Sequence, residues 1–587
     1  MGIALDMEPA PGREIFLRML LRWLLGSVLA VGGTALLWAC CGDGLLDAAY
    51  HGRSLGLFNA MIKGQADKSL GYYQQEARSL LLSLDAALML GLALAQCCRA
   101  ARREDSSPAV FRAFLVAVGL TLVGTMLLAR PVVYGDGEEY LLMAESLANH
   151  GSPDLRPGDI QSLATRLQGT GAVLAPPTDG HPYGYYRARD GRLYSYHFWA
   201  YPLACLPVKM ALRLLRVNEI KALPLTNAAL LLIALHQVLL SSRALSPARR
   251  TVLAALVLAS PVLWFVHWTH PEVLSSALVV LALIALHEGR WPAATLFAAG
   301  ASLHNPPLLL LLGYCILRGA LRAGGHPGGI GIIALAAAPA AAPFAFYYSR
   351  FRIPSLIAAL AASPANLSWF KVKDLWVDPN IGLLPYVPFA VLFSVVIVAR
   401  SLWRRSFSAP SLHLGAIVIG MMFLCTATVN WNNGTSGPSR YPIWMLPILF
   451  TTIAREGDWP IFSGTAALSA AWVAVGLHLG IVAAGGGVLP RISYVRHSVP
   501  ARVLLAYAPA WYRPTPEIFI ERTLGREGAA ATPVIYPASG ACRKALVGPQ
   551  DRASLEARCG PLPAAGREWF SRNTTPGKPA ALGYVDF

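Results

Sequence analysis

Apolar runs of about twenty residues recur along most of the chain, separated by short segments rich in Arg, Pro and Gly. Each run is long enough to cross a bilayer's hydrocarbon core as a helix. Hydropathy predicts about thirteen such spans, near 15–40, 79–98, 109–129, 224–243, 249–268, 271–288, 291–303, 306–320, 327–348, 381–400, 411–429, 440–454 and 463–486. The seventh and eighth are short and are separated by Asn305-Pro306-Pro307. Two tilted helices or one re-entrant hairpin fit that pattern equally. The first run, from Ile15 to Cys40, is too long for the core of a signal peptide, and no small-residue cleavage site follows it cleanly.

The polar stretches order these spans. Arg99, Arg102 and Arg103, then Arg249 and Arg250, Arg318 and Arg322, and Arg400, Arg404 and Arg405 all sit at ends of apolar runs. With Arg18 and Arg22 inside, strict alternation puts every cluster on the cytoplasmic side, the positive-inside pattern. The same alternation sends 131–223, 349–380, 430–439 and 487–587 to the outer face. Within 131–223, Glu138 to Asn149 reads as an amphipathic helix with Leu141, Leu142, Ala144 and Leu147 on its apolar side. His197 to Leu215 is apolar but contains Pro202 and Pro207 and ends in Arg213 and Arg216. It reads as a helix lying on the outer leaflet, because a span there would invert everything downstream. The expected architecture is an all-α polytopic membrane protein with a large first periplasmic loop and a small C-terminal periplasmic domain. Residues 1–107 form a two-helix addition, 108–486 the transmembrane core and 487–587 the terminal domain.

Composition agrees and excludes alternatives. Of 587 residues, 55% are hydrophobic and 14% charged, where soluble proteins carry about a quarter charged. The net charge of +17 is accounted for by the flanking arginines, and no basic stripe interleaved with aromatics points to nucleic acid. The Ala-, Gly- and Arg-rich composition points to a GC-rich bacterium and hence its inner membrane. Nine cysteines show no metal-ligand spacing. Seven lie in or beside apolar segments, whereas Cys542 and Cys559 fall in the polar C-terminal segment and can pair if that segment is periplasmic.

Four polar motifs carry candidate chemistry. Tyr134-Gly135-Asp136-Gly137-Glu138-Glu139-Tyr140 follows the third span directly. Helix capping and dipole compensation could by themselves explain Asp136, Glu138 and Glu139, but for Asp136 the functional reading is better, since a carboxylate at the mouth of a bundle suits a general base. Asn430 to Pro442 contains Trp431, Arg440 and Tyr441 among glycines. An arginine there either snorkels to lipid phosphates or forks a bound phosphate. His267-Trp268-Thr269-His270-Pro271-Glu272 and His304-Asn305 form tight outer turns, where His270, Glu272 and His304 either cap helices or line a polar cavity. Asp190 to His197 brings Tyr194 and His197 above the outer-leaflet helix, as headgroup contacts or as an aromatic belt. Walker loops, dinucleotide fingerprints and nucleophile elbows are missing, so ATP is not the evident energy source.

Together these features resemble the GT-C superfamily of polyprenyl-phosphate-sugar-dependent glycosyltransferases, in the style of lipid A aminoarabinose transferases and protein O-mannosyltransferases. The resemblance covers roughly 109–486 and is carried by Asp136 to Tyr140, Gly191 to Ser195, Asn380 to Pro388 and Trp431 to Tyr441. Such enzymes have an Asp, often followed by Glu, in the first outer loop. Asp136 matches the first position, but Gly137 replaces the neighbouring acid and leaves Glu138 or Glu139 as the second carboxylate. The resemblance implies a polyprenyl-phosphate-linked sugar donor held in the membrane and a lipid, glycan or protein acceptor, with transfer by inversion. Asp136 would serve as base or electrostatic stabiliser. Arg440 would hold the departing phosphate, helped by His270 or His304. No cofactor is required by this chemistry, and a divalent metal is left open. The rival readings are a transporter, a scaffold, and a polymerase or ligase using lipid-diphosphate donors through Arg350 and Arg352.

Overall fold

The computed structural model describes every residue except 1–9, 51–69, 103–107, 134, 171, 173, 176–180, 244, 408, 433–436, 456–472, 474, 483–488, 490–494, 538–539 and 574–581. Most of the thirteenth predicted span, together with Tyr134 and part of the 430–439 loop, therefore lies outside the described residues. The chain is predominantly helical. Six described helices are long and apolar enough to cross a membrane, within Gly12–Cys40, Gln74–Arg99, Pro108–Leu128, Glu219–Ser241, Pro306–Ala323 and Pro327–Phe351. Shorter apolar helices cover Glu272–His287, Pro388–Trp403 and Pro410–Cys425. Exposed Leu17, Leu21, Val28, Leu29, Leu120, Leu128, Leu321 and Leu335 stud the outer faces of the long helices, as expected where lipid replaces water.

At the centre stands the Glu272–His287 helix, with 13 of its 16 residues buried. It packs against Ala222–His236, Trp291–Ser302 and Leu446–Arg455. The predicted span 249–268 is instead two pieces, an α-helix Pro247–Leu258 and a 3-10 turn Pro261–Phe265. Ser260 and Pro261 cause the break: the Ser260 hydroxyl accepts from the Val262 N–H, and proline begins the new turn. The 440–454 span is likewise divided, into Arg440–Ile443 and Leu446–Arg455. At 291–320 the chain forms two helices, Trp291–Ser302 and Leu309–Ala323, joined by a 3-10 turn over Pro306–Leu308.

The long loop is itself folded. Its first helix, Gly137–His150, matches the predicted one but is buried on its polar side too, including Glu138, Glu139, Glu145 and Ser146. The helix predicted at 197–215 runs from Ala200 to Leu214. Leu203, Met210 and Leu214 are exposed on one of its faces, while Lys209 on another is buried. Lys209 meets Glu145 at 2.6 Å and Glu219 at 3.1 Å. Arg166 bridges the same two carboxylates at 3.0 and 2.7 Å, and Arg213 reaches Glu219 at 2.9 Å. This network ties together the Gly137–His150 and Ala200–Leu214 helices and the Pro157–Leu167 helix between them, which carries Arg166. Lys221 anchors the loop to the bundle by donating to the Ala129 carbonyl at the end of the Pro108–Leu128 helix. A two-stranded antiparallel hairpin, β1 (Tyr185–Arg187) with β2 (Leu193–Ser195), completes the loop.

The 349–380 segment, the described part of 430–439 and the terminal segment gather at the same end. Asp190 pairs with Arg350, Ala362 bridges Thr428, and Asn432 meets Glu521. At the opposite end, Arg249 donates to the Arg455 carbonyl and Arg455 reaches His287. The terminal segment holds an antiparallel sheet, in the order β3 (Val534–Tyr536), β4 (Lys544–Val547), β5 (Gly583–Asp586). Alternate strand residues face opposite sides: Val534 and Leu546 meet Phe519, whereas Ile535, Ala545, Val547 and Val585 meet Leu555 and Phe570. Cys542 and Cys559 form a disulfide. This unit docks on the 369–380 segment through Thr515 on Asp374 and Ser498 on Asn380.

Removing one partner from a buried ion network leaves uncompensated charge. Lys209→Met is therefore expected to cost about 3 kcal/mol and to lower the thermal midpoint of the purified protein in detergent. An unchanged midpoint would show that the network does not hold the loop together.

Candidate active site

The Asp136 turn, the 267–272 turn, the 304–307 turn and the start of the Arg440 helix converge at the loop end of the bundle. Gly137 permits the first of these contacts. A Cβ there would sit 2.1 Å from the Thr269 hydroxyl and 3.6 Å from His270, so the helix could not approach this closely with any larger residue. That packing explains why glycine stands where the resemblance leads one to expect an acid.

Asp136 does not cap its helix through its side chain. Its carboxylate instead meets Arg440 at 2.6 Å, across 304 residues of sequence, and His197 Nε2 at 3.6 Å. Burial alone would raise its pKa, but Arg440, His197 and His270 hold it well below the usual carboxylate range. Glu139 is 1% exposed and accepts hydrogen bonds from the Ser195 hydroxyl at 2.6 Å and from His197 Nδ1 at 3.1 Å. His197 thus stands between two carboxylates. The hairpin supplies this geometry, and Gly184 at its start has φ +81° and lies where a Cβ would strike the Glu139 carboxylate. Glu138 accepts from the Ala175 N–H at 2.7 Å and so ties Ala175 to the loop's first helix.

Beside this cluster lies a pocket enclosing about 730 Å³, part of it open to the outside. Arg440, Tyr441, His197, Glu272, His304 and Tyr140 line it, with Tyr196, Asn305, Asn430 and Thr428 adding polar groups and Pro306, Pro307, Ile357 and Ala361 apolar ones. Asp136 is not on this wall; it stands behind Arg440 and His197. The Tyr140 ring is edged by His197, Tyr201, His270 and His304. His270 stacks on Trp268 at 3.8 Å. His304 Nε2 accepts from the Tyr201 N–H at 2.7 Å, which puts the ring proton on Nδ1, and burial holds its pKa down at about 3. That neutral ring keeps an Nδ1 N–H without a partner among the described residues, and Arg440 Nε is in the same state.

Two residues singled out in the sequence lie elsewhere. Tyr194 hydrogen-bonds to Asp190 and sits under Arg350, and Trp431 is fully buried with Lys371 5.2 Å above its ring. Arg350 pairs with Asp190 outside the pocket. Ser195, Tyr196 and Asn430 join the site without a sequence signal beyond proximity to a motif. Among the described residues, no group of three or more His, Cys, Asp or Glu side chains is arranged to hold a metal ion.

Fold and site together define a multi-helix membrane protein with a polar, partly open pocket where its long loop meets the helix bundle. Residues 196–428 match the model of glycosyltransferase family 87, a GT-C-type family, in agreement with the resemblance read from the motifs. The matched stretch includes His197, His270, Glu272 and His304 and excludes Asp136 and Arg440. Among solved structures, the chain is similar to ArnT from Cupriavidus metallidurans bound to undecaprenyl phosphate, at 13% identity and a TM-score of 0.40. That similarity covers 65% of this chain and 64% of the other, so the chain spans less than two thirds of that relative's length. No curated protein matches the chain.

Burial alone would lower the His197 pKa, but Glu139 and Asp136 raise it above its ordinary 6.5. A raised folded value stabilises the protein fully below the unfolded pKa, and this is lost as pH rises through the folded value. Thermal stability is therefore expected to fall as pH rises above His197's ordinary 6.5 and through its raised folded value, with a flatter slope in His197→Gln. Equal slopes in the two proteins would contradict a charged His197.

Proposed function

We propose that the protein transfers a sugar from a polyprenyl-phosphate donor to an acceptor hydroxyl at the loop face of the membrane. The observation that supports this most directly is Arg440. It is a half-buried guanidinium on the wall of a pocket at the end of an apolar bundle, paired with Asp136 and with its Nε–H unmatched among the described residues. Arginine in that position forks a phosphate, and the neutral His304 Nδ1–H supplies a second donor without adding charge. The Asp136 clamp fixes the guanidinium before the donor arrives, so little side-chain freedom is lost on binding. The lipid tail would run between the exposed apolar helix faces, leaving the headgroup at the pocket.

In this reading, Asp136 orients Arg440 and steadies the positive charge that develops on the sugar ring. Glu139 positions His197, and Glu138 holds the loop. His270 and Tyr140 shape the pocket, and Tyr441 adds an aromatic wall beside Arg440 at 5.3 Å. Tyr194 and Trp431 would act at a distance, by bracing the hairpin and the 430–439 loop. One displacement at the anomeric carbon inverts its configuration, and the sugar–phosphate bond supplies the driving force. The loop face is periplasmic in this account, with the arginine-rich end in the cytoplasm of a bacterial inner membrane.

Transfer from radiolabelled polyprenyl-phosphate sugars to an envelope extract tests the proposal. Wild type is expected to transfer label. Asp136→Asn is expected to lower kcat by about 100-fold or more while remaining folded. Arg440→Ala is expected to weaken the donor KM as well as kcat. Absence of transfer from every such donor by the wild type would overturn the proposal.

A further inference from the structure

We infer that Glu272 is the group that takes the proton from the acceptor hydroxyl. The inference builds on the glycosyl-transfer reading above and assigns the base within it. The three acids of the Asp136 turn are all engaged: Asp136 with Arg440 and His197, Glu138 with the Ala175 N–H, Glu139 with Ser195 and His197. None of the three is on the pocket wall.

Glu139 also keeps one oxygen, Oε1, without a partner among the described residues, but off the pocket wall; Glu272 differs in combining such an oxygen with a place on that wall. It lines the pocket beside Arg440, His197 and His304, and it is 4% exposed. Its Oε2 has no hydrogen-bond partner among the described residues. A glutamate at the first position of a helix is ordinarily explained by the helix dipole. The dipole accounts for a solvated carboxylate near the N-terminus, but not for a buried one with an oxygen left unmatched. Such an oxygen is costly unless something meets it, and here the space beside it is the pocket. A hydroxyl entering the pocket would meet it. The residue is also firmly placed, since it opens a helix with 13 of 16 residues buried and follows Pro271, which lines the same wall.

The step balances as a single displacement. The acceptor oxygen forms its bond to the anomeric carbon as the bond from that carbon to the phosphate oxygen breaks. The electron pair of the broken bond leaves with the phosphate, whose charge faces Arg440 and the His304 Nδ1–H. The acceptor's proton passes to the Glu272 carboxylate and leaves through the open mouth of the pocket. Asp136 and Glu272 therefore have separate duties, one holding the phosphate-binding arginine and the other handling the proton.

The test is steady-state transfer by the full-length protein in lipid nanodiscs, for wild type, Glu272→Gln and Glu272→Asp, across pH. Glu272→Gln is expected to lower kcat by about 100-fold or more with the donor KM within about twofold. The fall in wild-type kcat at acid pH is expected to vanish in Glu272→Gln and to persist, at reduced rate, in Glu272→Asp. A Glu272→Gln protein with wild-type kcat, or one that retains the acid limb at lower rate, would overturn the inference. If Glu272→Gln does not fold, an acid limb in Glu272→Asp at the wild-type position and an undiminished kcat would overturn it too. Failure of wild type itself to transfer would instead remove the glycosyl-transfer reading.

Discussion

Asp136 and Arg440 belong to segments separated by most of the membrane bundle in sequence, and their 2.6 Å contact is what makes one site of them. Asp136 is buried and Arg440 half-buried on the pocket wall, and a lone charge withdrawn from water at such a place carries a desolvation penalty that its partner offsets. The rest of the outer face is arranged to let the two meet. Gly137 brings the helix start against Thr269 and His270, the 184–197 hairpin presents His197 to Asp136, and the Lys209 network keeps the loop's helices from parting. Arg440 in turn opens the short helix that leads into the buried Leu446–Arg455 segment. The pair is thus a fastener between loop and bundle as well as a charge arrangement.

A paired arginine is also a prepared one. Its orientation is set by Asp136, it lines a pocket with apolar flanks, and among the described residues Asp136 is the one carboxylate in ion-pair contact with it. A phosphate carrying a lipid tail satisfies all three conditions. The surrounding groups divide by protonation chemistry. His197, between two carboxylates, has its pKa raised, whereas burial lowers that of His304, which accepts from a backbone N–H and keeps its proton on the other nitrogen. Two histidines within one cluster are thus pushed in opposite directions, one by neighbouring charge and the other by burial.

Much of the membrane architecture was legible from hydropathy because apolar length is a strong signal. The arginine clusters separated the two ends, and Arg249 and Arg455 do lie together away from the loop. The loop helix at 138–149 was legible as a helix, but its burial was not. Periodicity shows one apolar face, and only tertiary packing reveals that Glu139 and Glu145 are covered as well. The breaks at Ser260-Pro261 and at Trp444 were hidden inside continuous apolar runs. In the site, the motifs flagged Asp136, Arg440, His197 and His304 separately. Nothing in the sequence could pair Asp136 with Arg440, since the pairing is a consequence of which helices neighbour each other. Tyr194 and Trp431 show the converse, conspicuous in sequence yet folded away from the pocket because aromatic side chains also pack. The disulfide between Cys542 and Cys559 followed from compartment and polarity rather than from spacing.

A double-mutant cycle on Asp136 and Arg440 measures the coupling on which this account depends. Transfer efficiency, kcat/KM for the donor, would be compared in wild type, Asp136→Asn, Arg440→Gln and the double variant. If the two residues act as one unit, the double variant falls little further than the worse single variant, giving a coupling energy of about 1.5 kcal/mol or more. Losses that multiply, so that the coupling energy is near zero, would show that the residues act independently and would contradict the central claim.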